Sequence, residues 1–228
     1  MKEASGGARL TFFADGAELR PAAVSERLDA LRATFARFPA NAAGIRISGL
    51  AGRKPFLIAT GPIGAFAAEF LGPGCRAVRA ILLDKTAETN WSLAWHQDRV
   101  TSVKQRIDVH GFGPWSIKAG RPHVAPPFDL LSRLITLRIH LDDVPADNAP
   151  LLIAPGSHRY GRVSANRIDE VVRQCGVRQC LAEAGDVWIY ATPILHASDN
   201  AAKPTRRRVL QVDFSAEELP GGLEWLGA

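Results

Sequence analysis

No stretch of this sequence approaches the roughly 18 consecutive apolar residues of a membrane span. Its opening, "MKEASGGARL", also has no apolar run of the signal-peptide kind. Cysteine is scarce. Cys75, Cys175 and Cys180 make an odd count, which argues against a disulfide framework and for a reduced, cytoplasmic protein. Cys175 and Cys180 have no second Cys/His pair at zinc-site spacing nearby and read as unconnected thiols. Excess charge is also small, with 28 basic against 23 acidic residues and a net charge of +5. That balance suits an acidic small molecule as well as a nucleic acid. The basic residues are scattered, however, apart from Arg206, Arg207 and Arg208, and no basic stripe interleaved with aromatics occurs. The expected partner is a small-molecule substrate, with neither nucleic acid nor membrane, and oligomeric state is unreadable.

Hydrophobic residues are plentiful. They make up 46% of 228 residues, enough to fill a core, and twenty glycines and fifteen prolines call for many turns and short elements. "RLTFFA" (9–14) reads as a strand turned by "DG". From Pro21 to Phe38 the apolar residues Val24, Leu28, Leu31, Phe35 and Phe38 step by four, three, four and three, which predicts an amphipathic helix. Pro21 suits its first turn and Pro39 ends it. A second helix is expected within 61–72. Strands are expected at 76–85, around "LAWHQDR", and at 134–143, with further strands at "LLIAP", 185–198 and 206–215. "RIDEVVRQC" reads as a short helix. Residues 101–127, rich in Gly and Pro, read as a long loop of the kind that serves as a lid. Helices followed by many short strands argue for a β-sandwich or barrel with helices packed outside.

One feature does not fit a plain strand. His96 and Asp98 stand two apart in "AWHQDRV", so an extended chain would aim both at one space. With the distant His196 they make two histidines and a carboxylate, a set that occupies one face of an octahedral metal and leaves three positions open. Spacing alone is weak support, because any His-x-Asp with a remote histidine satisfies it.

The flanking residues are more specific. "WHQD" (95–98), "LDDVPADNAPLLIAPGSHR" (141–159), "AGDVWIY" (184–190) and "HASDN…RRRVL" (196–210) together resemble the phytanoyl-CoA dioxygenase family of Fe(II)/2-oxoglutarate oxygenases, from about Leu82 to Phe214. The resemblance implies a mainly β fold with flanking helices, a double-stranded β-helix (jelly roll, cupin-like). It would form one domain over 1–228, helical over about 1–75 and with its β-helix core over about 76–216. It implies His96, Asp98 and His196 as iron ligands, 2-oxoglutarate as cosubstrate and dioxygen as oxidant. The implied activity is hydroxylation of a small molecule.

The same resemblance places an arginine on the strand after the distal histidine, to bind the far carboxylate of 2-oxoglutarate, and a serine two beyond that histidine. Ser198 matches the serine. Arg207 aligns best for the arginine, but Asn200 falls one residue early, and that shift would select Arg206. Arg206 and Arg208 share a strand face that Arg207 does not. Ala149 stands where the family usually has glycine. Lys85 is usual in the family's pattern, either as a pocket cation or as a strand-end surface charge. Arg138, on the face shared with Thr136 and His140, is expected to line the iron cavity, against a plain surface reading.

Other residues read more simply. Trp95, Trp188 and Tyr190 are expected as core aromatics. His158 reads as a turn histidine that braces the fold, and His110 and His123 as solvent-exposed loop residues. Asp98 argues against a related halogenase, which would need a small residue in its place. A cupin-like metal hydrolase and a non-catalytic metal- or 2-oxoglutarate-binding sensor on the same scaffold stay open.

Overall fold

The computed structural model describes residues 9–36, 38–39, 44–47 and 54–228. The head at 1–8 and part of the N-terminal third therefore lie outside the described residues. The helices are α1 (Phe12–Asp15), α2 (Leu28–Phe35), α3 (Lys54–Leu57), α4 (Gly64–Leu71), α5 (Phe128–Ser132) and α6 (Ile168–Cys175). The first seven strands are β1 (Ala17–Arg20), β2 (Gly44–Ile47), β3 (Arg76–Lys85), β4 (Leu93–His96), β5 (Thr101–Ser102), β6 (Trp115–Lys118) and β7 (Arg121–Val124). The others are β8 (Ile135–His140), β9 (Leu151–Ile153), β10 (Arg178–Cys180), β11 (Val187–Ala191), β12 (His196–Ser198) and β13 (Arg207–Ser215).

Three antiparallel sheets result. The major sheet runs β1-β11-β8-β13-β3-β2, the minor sheet β10-β9-β12-β4, and a small third sheet β5-β7-β6. From β8 onward the chain passes from major to minor and back, with β8, β11 and β13 in one layer and β9, β10 and β12 in the other. That weave is the expected double-stranded β-helix.

Strand alternation decides what each face of the major sheet meets. Leu137, Ile139, Val187, Ile189, Leu210 and Val212 point outward and bury against Leu31 and Phe35 of α2 and Ala67 of α4. The minor sheet is backed by α6, whose Val171 and Val172 pack with Ala154 and Leu195. Between the sheets, Leu151, Ile153, Trp188 and Tyr190 form an apolar half. The remainder of that space is polar and holds the candidate site.

Several expectations are corrected. "RLTFFA" is helical at its end, because the Thr11 hydroxyl accepts from the Ala14 amide at 3.3 Å and caps α1. The strand lies just beyond, as β1. The amphipathic helix starts at Leu28, after a 3-10 turn at Ser25–Arg27, rather than at Pro21. Its expected first turn is drawn off by tertiary bonds: the Ala22 amide donates to Asp186 Oδ1 at 2.8 Å and the Val24 amide to the Gly185 carbonyl at 2.9 Å. The strand expected at 185–198 breaks at Pro193 into β11 and β12, which belong to different sheets. The 101–127 segment is no structureless loop, since it carries β5, β6 and β7. The N-terminal third is not only helical, because β1 and β2 form the two edges of the major sheet.

Gly16 shows how tightly one turn is specified. It ends α1 at φ +74°, and a Cβ there would fall 2.2 Å from Nδ1 of His158. Gly16→Ala should cost about 1–2 kcal/mol through the left-handed backbone alone, plus the clash. In thermal unfolding the substitution should cost less in a His158→Ala background, where only the backbone part remains.

Candidate active site

His96 and His196 are direct cross-strand partners on β4 and β12. Their ring centroids lie 4.3 Å apart. In each ring Nδ1 meets the carbonyl two residues before it, Ala94 at 2.8 Å for His96 and Ile194 at 2.9 Å for His196. A carbonyl only accepts, so Nδ1 carries the proton and the Nε2 lone pair is left free to ligate. Asp98 does not sit on the strand with His96, because β4 ends at His96. The chain nevertheless turns its carboxylate to the same place, and one ligand atom from each of the three residues lies within 4.8 Å of the others.

Between the two ligand-type residues, Gln97 faces the opposite way and anchors the turn. Its amide nitrogen donates to the carbonyls of Gly161 and Pro193, each at 2.9 Å, and its oxygen accepts from the Val163 amide at 3.0 Å. Asp98 itself is held through Oδ2, which accepts from Arg79 Nη2 at 2.7 Å and Gln211 Nε2 at 3.3 Å. Its Oδ1 is therefore the oxygen free to reach an ion. Burial would raise the Asp98 carboxyl, but Arg79 and then His196 outweigh it and hold the group well below the ordinary carboxylate range. Burial pushes His196 down to about 4, so its imidazole is neutral at physiological pH, as a ligand must be.

Arg79 also donates through Nε to Asp213 Oδ2 at 2.5 Å, and Asp213 Oδ1 accepts from Thr136 at 3.0 Å. Asp213 stays raised by burial despite that guanidinium. Neither Arg79, Gln211 nor Asp213 is singled out by motif. Alternation was the available signal. Arg79 shares a face of β3 with Lys85, and Gln211 and Asp213 share a face of β13 with Arg207.

A second cationic group lies further along the same face. Arg207 and Lys85 are cross-strand partners. Arg207 is only 3% exposed, and its Nη1 donates to the Ala149 carbonyl at 2.6 Å. Lys85, 2% exposed, reaches Ser198 Oγ at 3.3 Å and the Asp199 carbonyl at 3.0 Å, and lies over the Trp91 ring. Arg138 is buried on the inner face and donates to Gln211 Oε1 at 2.9 Å. Nε of both arginines and both ring nitrogens of the neighbouring His140 are buried without a partner. Arg206 and Arg208 face the other way and pair with Asp84 and Asp142, at 2.8 and 2.7 Å. Burial, with Arg138 next, pushes Arg207 down to about 9.

The remaining histidines divide. His110 is exposed. His123 is not, contrary to the expectation. It is 1% exposed, with Nε2 on Ser102 Oγ at 2.9 Å and Nδ1 on the Arg121 carbonyl at 3.0 Å. The strands of the third sheet bury it. Trp188 and Tyr190 are core aromatics and Trp95 is partly buried.

The phytanoyl-CoA dioxygenase (PhyH) family model matches residues 15–209. This chain belongs to that family. It is thus a member of the iron- and 2-oxoglutarate-dependent oxygenase class, whose chemistry uses Fe(II), 2-oxoglutarate and dioxygen. No protein of curated function matches the sequence.

Similar solved structures include HygX from Streptomyces hygroscopicus with nickel and 2-oxoglutarate bound, at 14% identity and TM-score 0.60, over 90% of this chain and 84% of that one. Another is the epimerase SnoN in complex with Fe3+, alpha ketoglutarate and nogalamycin RO, at 16% identity and TM-score 0.60, over 92% and 88%. A third is EctD from S. alaskensis with bound Fe, at 17% identity and TM-score 0.59, over 90% and 74%. At such identities the likeness carries the fold alone.

Arg79→Ala should cost about 3–5 kcal/mol, because it leaves two buried carboxylates without their counter-charge. Adding Asp213→Asn to that variant should recover part of the loss, measured by chemical denaturation.

Proposed function

We propose that this chain hydroxylates a small-molecule substrate, with His96, Asp98 and His196 as its iron(II) ligands. The observation that carries the reading is the pair of opposed imidazoles, each tied at Nδ1, facing a carboxylate with one oxygen unclaimed. Neutral imidazole nitrogen and carboxylate oxygen are the donors that suit iron(II), and three ligands on one side leave room for a chelating acid and dioxygen. The cosubstrate fits the second cationic group. Arg207, Lys85 and Arg138 gather on the inner face, and Nε of each arginine is buried without a partner. Such a group favours a dianion brought out of water.

In this reading, Arg207 and Ser198 receive the far carboxylate of 2-oxoglutarate, and Lys85 and Arg138 add charge beside it. Arg79 and Gln211 orient Asp98 by occupying one of its oxygens. The walls built by Tyr190, Trp188 and Ile153 exclude water from the reacting space. When bound, iron(II) and 2-oxoglutarate supply oxidation of an unactivated C–H bond by dioxygen, releasing succinate and carbon dioxide.

A metabolite screen read by substrate-dependent succinate release, under Fe(II) and ascorbate, tests the reading. The product from labelled dioxygen should carry one labelled oxygen; an epimerised product without it would overturn hydroxylation. Asp98→Ala should abolish turnover. Arg207→Ala should weaken 2-oxoglutarate binding at least tenfold with metal affinity kept, while Arg206→Ala changes it little. Arg138→Ala should lower turnover with the metal still bound.

A pH dependence follows from Lys85. Burial first, then Arg207 and Arg138, push its ammonium down to about 8, with Asp199 opposing. Affinity for 2-oxoglutarate should therefore fall as pH rises through about 8, and the fall should vanish in Lys85→Met. In the ligand-free protein the folded value lies below the ordinary 10.5. The unfolded chain then binds the proton more tightly, so this group's contribution to stability rises from pH 8 towards 10.5.

A further inference from the structure

Beyond Asp98 lies a cavity that the metal and cosubstrate do not use. It has a volume of about 130 Å³ and is lined by Arg46, Arg79 and Arg121, with Ser102, His123 and Leu226 among its other walls. Arg46 comes from β2, Arg79 from β3, and Arg121 with His123 from β7 of the third sheet, so three separate elements turn cations to one space. No carboxylate lines it. Among the described residues Arg46, Arg121 and the nearby Lys118 make no salt bridge, while Arg79 is the cation that holds Asp98. The pocket therefore shares Arg79 with Asp98 and lies one guanidinium away from it.

Its electrostatics are those of a site waiting for an anion. Burial and then Arg79 lower Arg46, and burial and then Arg46 and Arg79 lower Lys118, with Asp98 opposing in both, so the mutual repulsion of these cations outweighs the one nearby carboxylate. His123 is lowered too, first by burial, and with Ser102 offers neutral polar groups. Surface arginines of no function would be expected to splay into water or pair with acids rather than converge.

The position separates this pocket from the cosubstrate seat. Arg79 pairs with Asp213 and Lys85 with Arg207, six residues apart on the shared β3–β13 ladder. Six residues of strand at roughly 3.3 Å each separate the backbones of the two pairs by about 20 Å, with Arg138 reaching Gln211 between them. Asp98, bonded to Arg79 and to Gln211, lies between them. One five-carbon diacid cannot occupy both.

We propose that this pocket binds the anionic group of the substrate, a carboxylate or phosphate, and so selects an acid whose oxidised carbon lies next to that group. The proposal rests on the oxygenase reading above and deepens it by naming the substrate class. The third sheet then acts as the wall that reads the substrate, because it supplies Arg121, Ser102 and His123.

The test uses the full chain and its Arg46→Ala/Arg121→Ala variant, two exposed positions. Equilibrium dialysis against inorganic phosphate and against acetate, on metal-loaded chains kept anaerobic and saturated with 2-oxoglutarate so that the cosubstrate seat is filled, measures the pocket. The wild type should bind one of them saturably, and the variant at least tenfold more weakly; the preferred anion tells phosphate from carboxylate. Equal binding by both chains, or none by the wild type, overturns the proposal. In parallel, 2-oxoglutarate binding to the metal-loaded chains should be the same in both. If the variant loses it, the pocket is the cosubstrate's and the proposal fails, whereas a wild type that binds phosphate but never 2-oxoglutarate refutes the oxygenase reading instead. In turnover, an acid substrate should exceed its neutral methyl ester at least tenfold in kcat/KM, with that preference lost through KM in the variant. An ester accepted as well as its acid also overturns the proposal.

Discussion

A single guanidinium joins the two layers at the point where they must agree. Arg79 rises from the major sheet and holds Asp213 of the same sheet with one edge and Asp98, beyond the end of the minor sheet, with another. Each carboxylate would be costly to bury alone. Together they fix where β4 must end and how its following turn must run, and Gln97 secures that turn from behind. The angle at which Asp98 meets the histidines is thus set by a buried ion cluster rather than by strand geometry. Strand geometry sets only the histidines, through the register that opposes His96 to His196.

The inner face of β13 acts as a graded ruler. Arg207 at one end is cationic, Gln211 in the middle is neutral and touches both Arg138 and Asp98, and Asp213 at the other end is acidic and covered by Arg79. Alternation forces all of these to one side, while Leu210, Val212 and Phe214 turn to the helices. One strand therefore sets an unpaired cationic end against an acidic end that an arginine neutralises.

Much of this was legible from residue order. Strands 76–85 and 206–215 were readable because each is a long run rich in aliphatic residues with no glycine or proline, and the motifs around "WHQD" and "PGSH" carried the family and the fold. What sequence hid was mostly decided by distant partners. α1 in place of a strand depends on the Thr11 cap, but the late start of α2 depends on Gly185 and Asp186, more than 150 residues away, which no local pattern announces. The third sheet was hidden because its strands are two to four residues long and flanked by glycine and proline. Burial of His123 was hidden with it, because those same strands cover the ring. The role of Arg79 is hidden because its two carboxylates, Asp98 and Asp213, come from distant stretches of the chain that no local pattern links to it.

The order of strands in the major sheet bears on how the chain is made. β13 lies between β8 and β3, so the last strand of that sheet to be synthesised is the one that joins its two halves. Until Ser215 has been added, β1-β11-β8 and β3-β2 are separate fragments, each with an unpaired edge. Those edges are open to other chains during synthesis. Assembly is therefore a late event dominated by contacts between residues far apart in sequence, which makes it slow. A chain cut short before Arg207 would be two half-sheets with sticky margins rather than a smaller folded protein.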